Sequence, residues 1–152
     1  TTSEMVDLVE RLKVLLDQQV HYQPADYLSR GYQQRLFEAQ HEHEILSPSC
    51  SSSSISCINE VWREKICEWS YQVIDHFDFS REVVCIAVSY LDRYLSKRLV
   101  NKKHFQLLAM SCLYLAIKLY EPGTISMKSM IELSRGYFLV THMVEMETSI
   151  LR

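Results

Sequence analysis

Four charged side chains stand where the surrounding sequence is built to bury carbon: Arg63, Asp92, Lys118 and Glu147. Asp92 lies within Tyr90-Leu91-Asp92-Arg93-Tyr94-Leu95-Ser96 and, at helical spacing, shares a face with Cys85, Val88 and Leu95. A carboxylate on such a face loses solvation unless a cation meets it, and Arg63 is one the sequence supplies. Periodicity alone leaves two readings open, a solvated helix edge or an Arg63–Asp92 pair that fixes how two helices dock. Lys118 closes the apolar run Leu115-Ala116-Ile117, where the negative end of a helix dipole favours a cation, and Glu147 falls near the positive start of a later helix. Groups of this kind can anchor a partner's backbone or pair with each other.

Residue types suited to catalysis are not arranged for it. His41-Glu42-His43-Glu44 lacks the spacing that puts two imidazoles on one helix face, and it reads as a solvated polar stretch. No Gly-rich phosphate loop is present, and no Ser or Cys has a base at motif spacing. The expectation is a protein that is not an enzyme, with no metal, no cofactor and no small-molecule substrate.

The elements that position these residues are helical. With three Gly and three Pro in 152 residues, the turns of a multi-stranded sheet have few punctuators, so an all-α fold of one domain is expected. Met5, Leu8, Val9, Leu12, Leu15 and Leu16 predict an amphipathic helix over residues 4–19, and Leu28, Tyr32 and Leu36 a weaker one reaching about Gln40. Together, residues 1–40 form an N-terminal helical arm. Residues 41–57, with seven serines between Ser47 and Ser56, read as a flexible linker. The main domain spans 58–152. There Trp62, Ile66, Trp69 and Val73 mark the first helix, and residues 81–96, with Ser80 as cap, a second that is apolar around its circumference. Asn101 caps a third, equally apolar helix that stops at Pro122-Gly123. Residues 126–134 form a short fourth helix, and Thr141 caps a fifth that is still in phase at Ile150 and Leu151, as expected of a fragment whose last helix is incomplete.

Composition narrows the partner class. A formal net charge of -3 gives no overall basic field for nucleic acid or an anionic membrane. Residues 105–120 are interrupted by Lys118 and fall short of the ~20 apolar residues that cross a bilayer. Five cysteines without a Cys-x-x-Cys pair suit a reduced, intracellular setting, three of them (Cys67, Cys85, Cys112) acting as small hydrophobes in helices.

Read together, Trp62-Arg63-Glu64-Lys65-Ile66-Cys67-Glu68-Trp69, the Tyr90 to Leu95 phrase, Leu115 to Glu121 and Glu145-Met146-Glu147 resemble a cyclin box. The resemblance implies a cyclin-like five-helix fold and sets its five marker positions, without insertion or deletion, on Arg63, Asp92, Leu107, Lys118 and Glu147. Trp69 matches the first-helix tryptophan of the family. It further implies that Arg63, Trp69, Asp92 and Leu107 hold the fold, while Lys118 and Glu147 face a cyclin-dependent protein kinase. Leu119, Glu121, Thr148 and Leu151 would form the rim of that surface. A nuclear and cytoplasmic regulator of cell division follows; the alternative is a cyclin-fold transcription factor contacting DNA or polymerase machinery, which the acidic balance disfavours.

The chain also departs from the family. Members that recruit substrates through a first-helix patch usually read Met-Arg-Ala-Ile-Leu, whereas here Trp62, Lys65, Ile66 and Trp69 make an altered patch with a charge at an apolar position. The second acid after the third-helix lysine is displaced, with Tyr120 before Glu121. The second fold that follows the box in most members is absent from these 152 residues. Deleting residues 49–56 of the serine run should change stability by less than about 1 kcal/mol, since loop closure depends weakly on length; a urea midpoint far from that of the intact chain would refute the linker assignment.

Overall fold

Eleven residues of one helix are buried, on every side of it, and the rest of the domain is arranged to cover them. The computed structural model describes residues 2–41 and 58–152, and all regular structure among them is helical. The linker and its His-Glu run, apart from the backbone of His41, lie outside the described residues. The elements are α1 (Thr2–Tyr22), α2 (Arg30–His41), α3 (Glu60–His76), α4 (Glu82–Leu95), α5 (Lys102–Tyr120), α6 (Met127–Glu132) and α7 (Val140–Leu151).

The buried helix is α5. Leu108, Leu113, Ala116 and Ile117 are fully excluded from water, with Phe105, Leu107, Met110 and Cys112 nearly so. An α-helix that is apolar all round is stable in water only when other helices surround it. Here α3, α4, α6 and α7 do so. Ile74 comes from α3, Val83, Val84 and Leu91 from α4, Met130 from α6 and Met143 from α7. Each such side chain contributes about 1.5–3 kcal/mol by leaving water.

Local chemistry sets the boundaries. Asn59 and Asn101 cap α3 and α5, their side-chain oxygens accepting from Trp62 N and His104 N. Ser126 caps α6 through Ser129 N. The expected cap of α4 is corrected: its N-cap is Arg81, with no side-chain capping bond, and Ser80, one residue before it, accepts from Glu82 N at 3.4 Å. The expected cap of the last helix is corrected. Its N-cap is Leu139, whose N–H donates to His142 Nδ1 at 3.1 Å, so Thr141 lies inside the first turn. The imidazole reaching back from the third position removes the need for a capping hydroxyl.

Two further expectations are corrected. The helix α4 is not surrounded: Val83, Val84, Ala87, Leu91 and Leu95 form one buried stripe, whereas Cys85, Ser89 and Arg93 face solvent. Of the three helical cysteines only Cys112 is buried; Cys85 is exposed and Cys67 half-buried. Aliphatic β-branched neighbours masked the polar strip in the sequence.

The helix α1 contains no buried residue, and its apolar stripe, Met5, Leu8, Leu12 and Leu15 included, is exposed. Its last residue meets the domain, the Arg93 guanidinium lying 4.9 Å over the Tyr22 ring. The segment after it is integrated differently. Tyr27 is buried, and the Gln33 amide donates to Tyr27 O at 2.9 Å and Ile58 O at 2.8 Å, joining the start of α2 to the entrance of α3.

Burial predicts a contrast between two leucines. Leu113→Ala should destabilise by about 2–5 kcal/mol through lost transfer energy and a cavity. Leu12→Ala, on the exposed stripe, should cost less than about 0.5 kcal/mol. Urea unfolding of both variants tests this packing, and equal losses would contradict it.

Candidate functional site

The four charged residues resolve into two pairs at opposite ends of the bundle's logic, one inside the packing and one at its surface. The first pair joins α3 to α4. Arg63 Nε donates to Asp92 Oδ1 at 3.0 Å and Arg63 Nη2 to Asp92 Oδ2 at 2.7 Å, a bidentate fork. Asp92 is 13% exposed and Arg63 36%, so the carboxylate is sheltered while the guanidinium keeps one edge in water. Of the two readings open from periodicity, the paired one describes the geometry.

A third member was not legible in the sequence. The Tyr27 hydroxyl donates to Asp92 Oδ1 at 2.5 Å. Burial, then the neighbouring Asp92 carboxylate, pushes the Tyr27 hydroxyl well above the usual phenol range, so it stays a proton donor at any physiological pH. The Arg63 guanidinium is raised chiefly by its hydrogen bonds to Asp92. Two donors thus satisfy one sheltered carboxylate, and one of them comes from the segment between α1 and α2. Close by, the Tyr32 hydroxyl donates to Ser96 O at 2.5 Å, a second tie from this segment to the end of α4.

The second pair joins α5 to α7, and Glu147 is the eighth of the twelve residues of α7, not near its start as expected, so the helix dipole does not account for it. Lys118 Nζ donates to Glu147 Oε1, and the same ammonium lies 5.3 Å over the Tyr114 ring. Lys118 is 45% exposed and Glu147 only 14%, so the carboxylate is held between helices and the ammonium sits at its mouth. Around the pair, Leu119, Tyr120 and Leu151 are exposed, and Leu119 and Leu151 line a groove of about 340 Å³ with Tyr90, Tyr94 and Leu115. Burial and a hydrogen bond with Tyr120 push the Tyr90 hydroxyl up to about 12. Thr148 is exposed, its hydroxyl donating to Val144 O. Glu121 is turned elsewhere: its Oε1 accepts from Ser80 N at 2.9 Å, clasping the end of α5 to the entrance of α4.

Leu107 is buried in α5. The altered patch is divided by the geometry. Ile66 and Trp69 line a second, larger groove, whereas Trp62 leans on Phe105, ring centroids 6.0 Å apart, and Lys65 is exposed and does not line it. Among the described residues no three metal-ligating side chains cluster. No described helix is long and apolar enough to cross a membrane.

The Asp92 cluster predicts graded losses. Asp92→Ala leaves the Arg63 charge and the Tyr27 hydroxyl without their acceptor and should cost roughly 2–4 kcal/mol. Tyr27→Phe removes one hydrogen bond and should cost about 1 kcal/mol. Thermal melts coincident with the parent chain for both variants would show that the cluster does not hold the helices.

Comparison with known proteins reaches the same fold from the sequence. Residues 13–152 match the family described as Cyclin, N-terminal domain. Cyclin-A1-2 of Arabidopsis thaliana is 31% identical over 96 residues, covering 63% of this chain and 22% of that protein. Cyclin-B2-1 of the same plant is 31% identical over 94 residues, covering 62% of this chain and 22% of its own length. Cyclin-G1 of Homo sapiens is 28% identical over 153 aligned positions, covering 99% of this chain and 46% of that protein. The chain therefore spans less than half the length of these relatives. With the family match extending over all but its first twelve residues, the chain belongs to the cyclin family.

Proposed function

We propose that this protein is a regulatory subunit that binds a cyclin-dependent protein serine/threonine kinase and holds it in its active arrangement. The observation that carries the reading is the Lys118–Glu147 pair, which bridges the end of α5 to α7 beside exposed Leu119, Tyr120 and Leu151. A lysine and a glutamate fixed in this way offer a donor and an acceptor to the backbone of a partner helix, while the apolar side chains around them supply contact area. ATP and the catalytic groups belong to the kinase. Docking of a rigid helical face favours the kinase conformation in which its own Lys-Glu pair and metal-binding groups are aligned, and differential affinity for that conformation is the whole of the activation. A role in cell division, in nucleus and cytoplasm, goes with this reading.

The test is co-precipitation of a panel of cyclin-dependent kinases, with histone phosphorylation as the second readout. Lys118→Ala and Glu147→Ala should each weaken binding by about 2–5 kcal/mol while the helical circular-dichroism signal is unchanged, since neither side chain is in the core. Kinase capture by both variants at the level of the parent chain would overturn the assignment.

A further inference from the structure

The groove of about 340 Å³ beside the ends of α4, α5 and α7 carries charge of one sign. Arg93, Lys97 and Arg98 line it, and no aspartate or glutamate side chain does. Arg93 sits in the last turn of α4. Lys97 and Arg98 follow in a tight turn whose two N–H groups both donate to Tyr94 O, at 3.0 and 3.1 Å. Among the described residues the ion pairs are Arg11–Asp7, Arg63–Asp92, Arg81–Asp75 and Lys118–Glu147, so no carboxylate of the fold neutralises any of the three.

Their neighbours orient these cations without discharging them. The Arg93 guanidinium lies 4.9 Å over the Tyr22 ring and that of Arg98 5.3 Å over the Tyr94 ring. Arg98 Nη1 also donates to Ser149 Oγ at 2.8 Å. Rings and a hydroxyl fix the direction of a guanidinium but leave its charge, and most of its five N–H groups, unspent. The Tyr94 hydroxyl and Ser149 Oγ are 3.1 Å apart, so one of their two O–H groups donates to the other and the second is left for another acceptor. Fold stability accounts for only part of this. The helix dipole favours a cation at the end of α4, but Arg93 and Lys97 are four residues apart, the spacing at which like charges repel.

We propose that this groove binds a phosphoserine or phosphothreonine of a partner protein. A phosphoryl group brings nearly two negative charges and three acceptor oxygens, which two guanidiniums, an ammonium and a spare hydroxyl match better than they match a carboxylate. Leu115, Leu119 and Ile150 line the same groove and take an apolar side chain next to the phosphorylated residue. A nucleic-acid strand fits less well, because three cations around one recess make no track for a phosphate backbone and the chain's net charge of -3 supplies no extended field. Leu119 also borders the proposed kinase surface, but the proposal rests on the cations of the groove and not on that reading.

Fluorescence anisotropy with the 152-residue protein decides it, using labelled Ala-Leu-phosphoserine-Leu-Ala and the same peptide with Ser or with Glu at its centre. The phosphopeptide should bind at least tenfold more tightly than either control, and more weakly as salt rises. Arg98→Gln and Lys97→Gln should each weaken it at least fivefold. Lys97 is exposed and stands outside the contacts of Arg98 with Ser149 and Tyr94, so its replacement tests the site without disturbing the packing of α7. Lys128→Gln, an equal change of charge at an exposed position of α6, should leave binding within twofold. Lys118→Ala should do the same, which separates this site from the kinase surface. Equal binding of the three peptides, no binding of any, or equal losses from Lys128→Gln and Arg98→Gln would each overturn the proposal. So would displacement of the phosphopeptide by inorganic phosphate or duplex DNA at lower concentration than by its own unlabelled form.

Discussion

The wholly apolar circumference of α5 is the constraint from which the remaining architecture follows. A helix with Leu108, Leu113, Ala116 and Ile117 out of contact with water on different faces has no side left for solvent. Every neighbour must present a stripe to it, and each does so through a few large side chains that α5 alone makes useful. This confines chemistry to the ends of α5, because a charge in the middle would be unsolvated and unpaired. Lys102 and Lys103 stand at one end and Lys118 at the other, and the two grooves open beside them. One side chain, Glu121, closes the second end onto the entrance of α4.

A close-packed apolar bundle has little to say about the azimuth at which its helices meet, since many packings bury similar area. The Asp92 carboxylate supplies that information. It accepts from Arg63 in a fork whose planar geometry admits one relative orientation of α3 and α4, and from Tyr27, which brings the segment before α2 to the same point. The cluster adds direction more than net energy, because the desolvation of a carboxylate offsets much of what its partners return. Gln33 extends the arrangement, tying Tyr27 O and Ile58 O through one amide. What reads in sequence as an arm is therefore two parts with different fates: α1 presents an exposed stripe, whereas Tyr27 and Gln33 are buried.

The helices were legible because their signals are local. Asn101, Pro122-Gly123 and the 3.6-residue period of Trp62, Ile66, Trp69 and Val73 act within one or two turns, and the boundaries fall within a residue or two of them. The pairings of Arg63 with Asp92 and Lys118 with Glu147 span 29 residues each and came into view through apolar faces that could not hold a lone charge, reinforced by family register. Tyr27 was hidden because a tyrosine beside Pro24 has no period to betray its burial, and its partner is 65 residues away. The larger groove was legible only in part, through Ile66 and Trp69. Its rim residues, on α5 and after α6, are ordinary surface lysines and an arginine until the chain folds them around one trough. The polar strip on α4 and the His142 cap failed for want of a local rule that ranks Cys85 as exposed or an imidazole as a helix start.

The Lys118–Glu147 pair also bears on how a kinase surface could be recognised at modest entropic cost. A free lysine loses much of its rotamer freedom when a partner fixes it, a penalty that comes off the affinity. Here Glu147 and the Tyr114 ring already confine the ammonium before any partner arrives. Glu147 in turn is sheltered with one oxygen engaged, so its desolvation is largely complete in the free protein. In the proposed complex a partner segment would add bonds to a site whose ordering and dehydration belong to folding, and affinity would reflect the new contacts with little subtraction. Placement divides the labour within the pair: Lys118 is in the last turn of α5 and keeps an open side, whereas Glu147, the eighth of the twelve residues of α7, is sheltered between the helices.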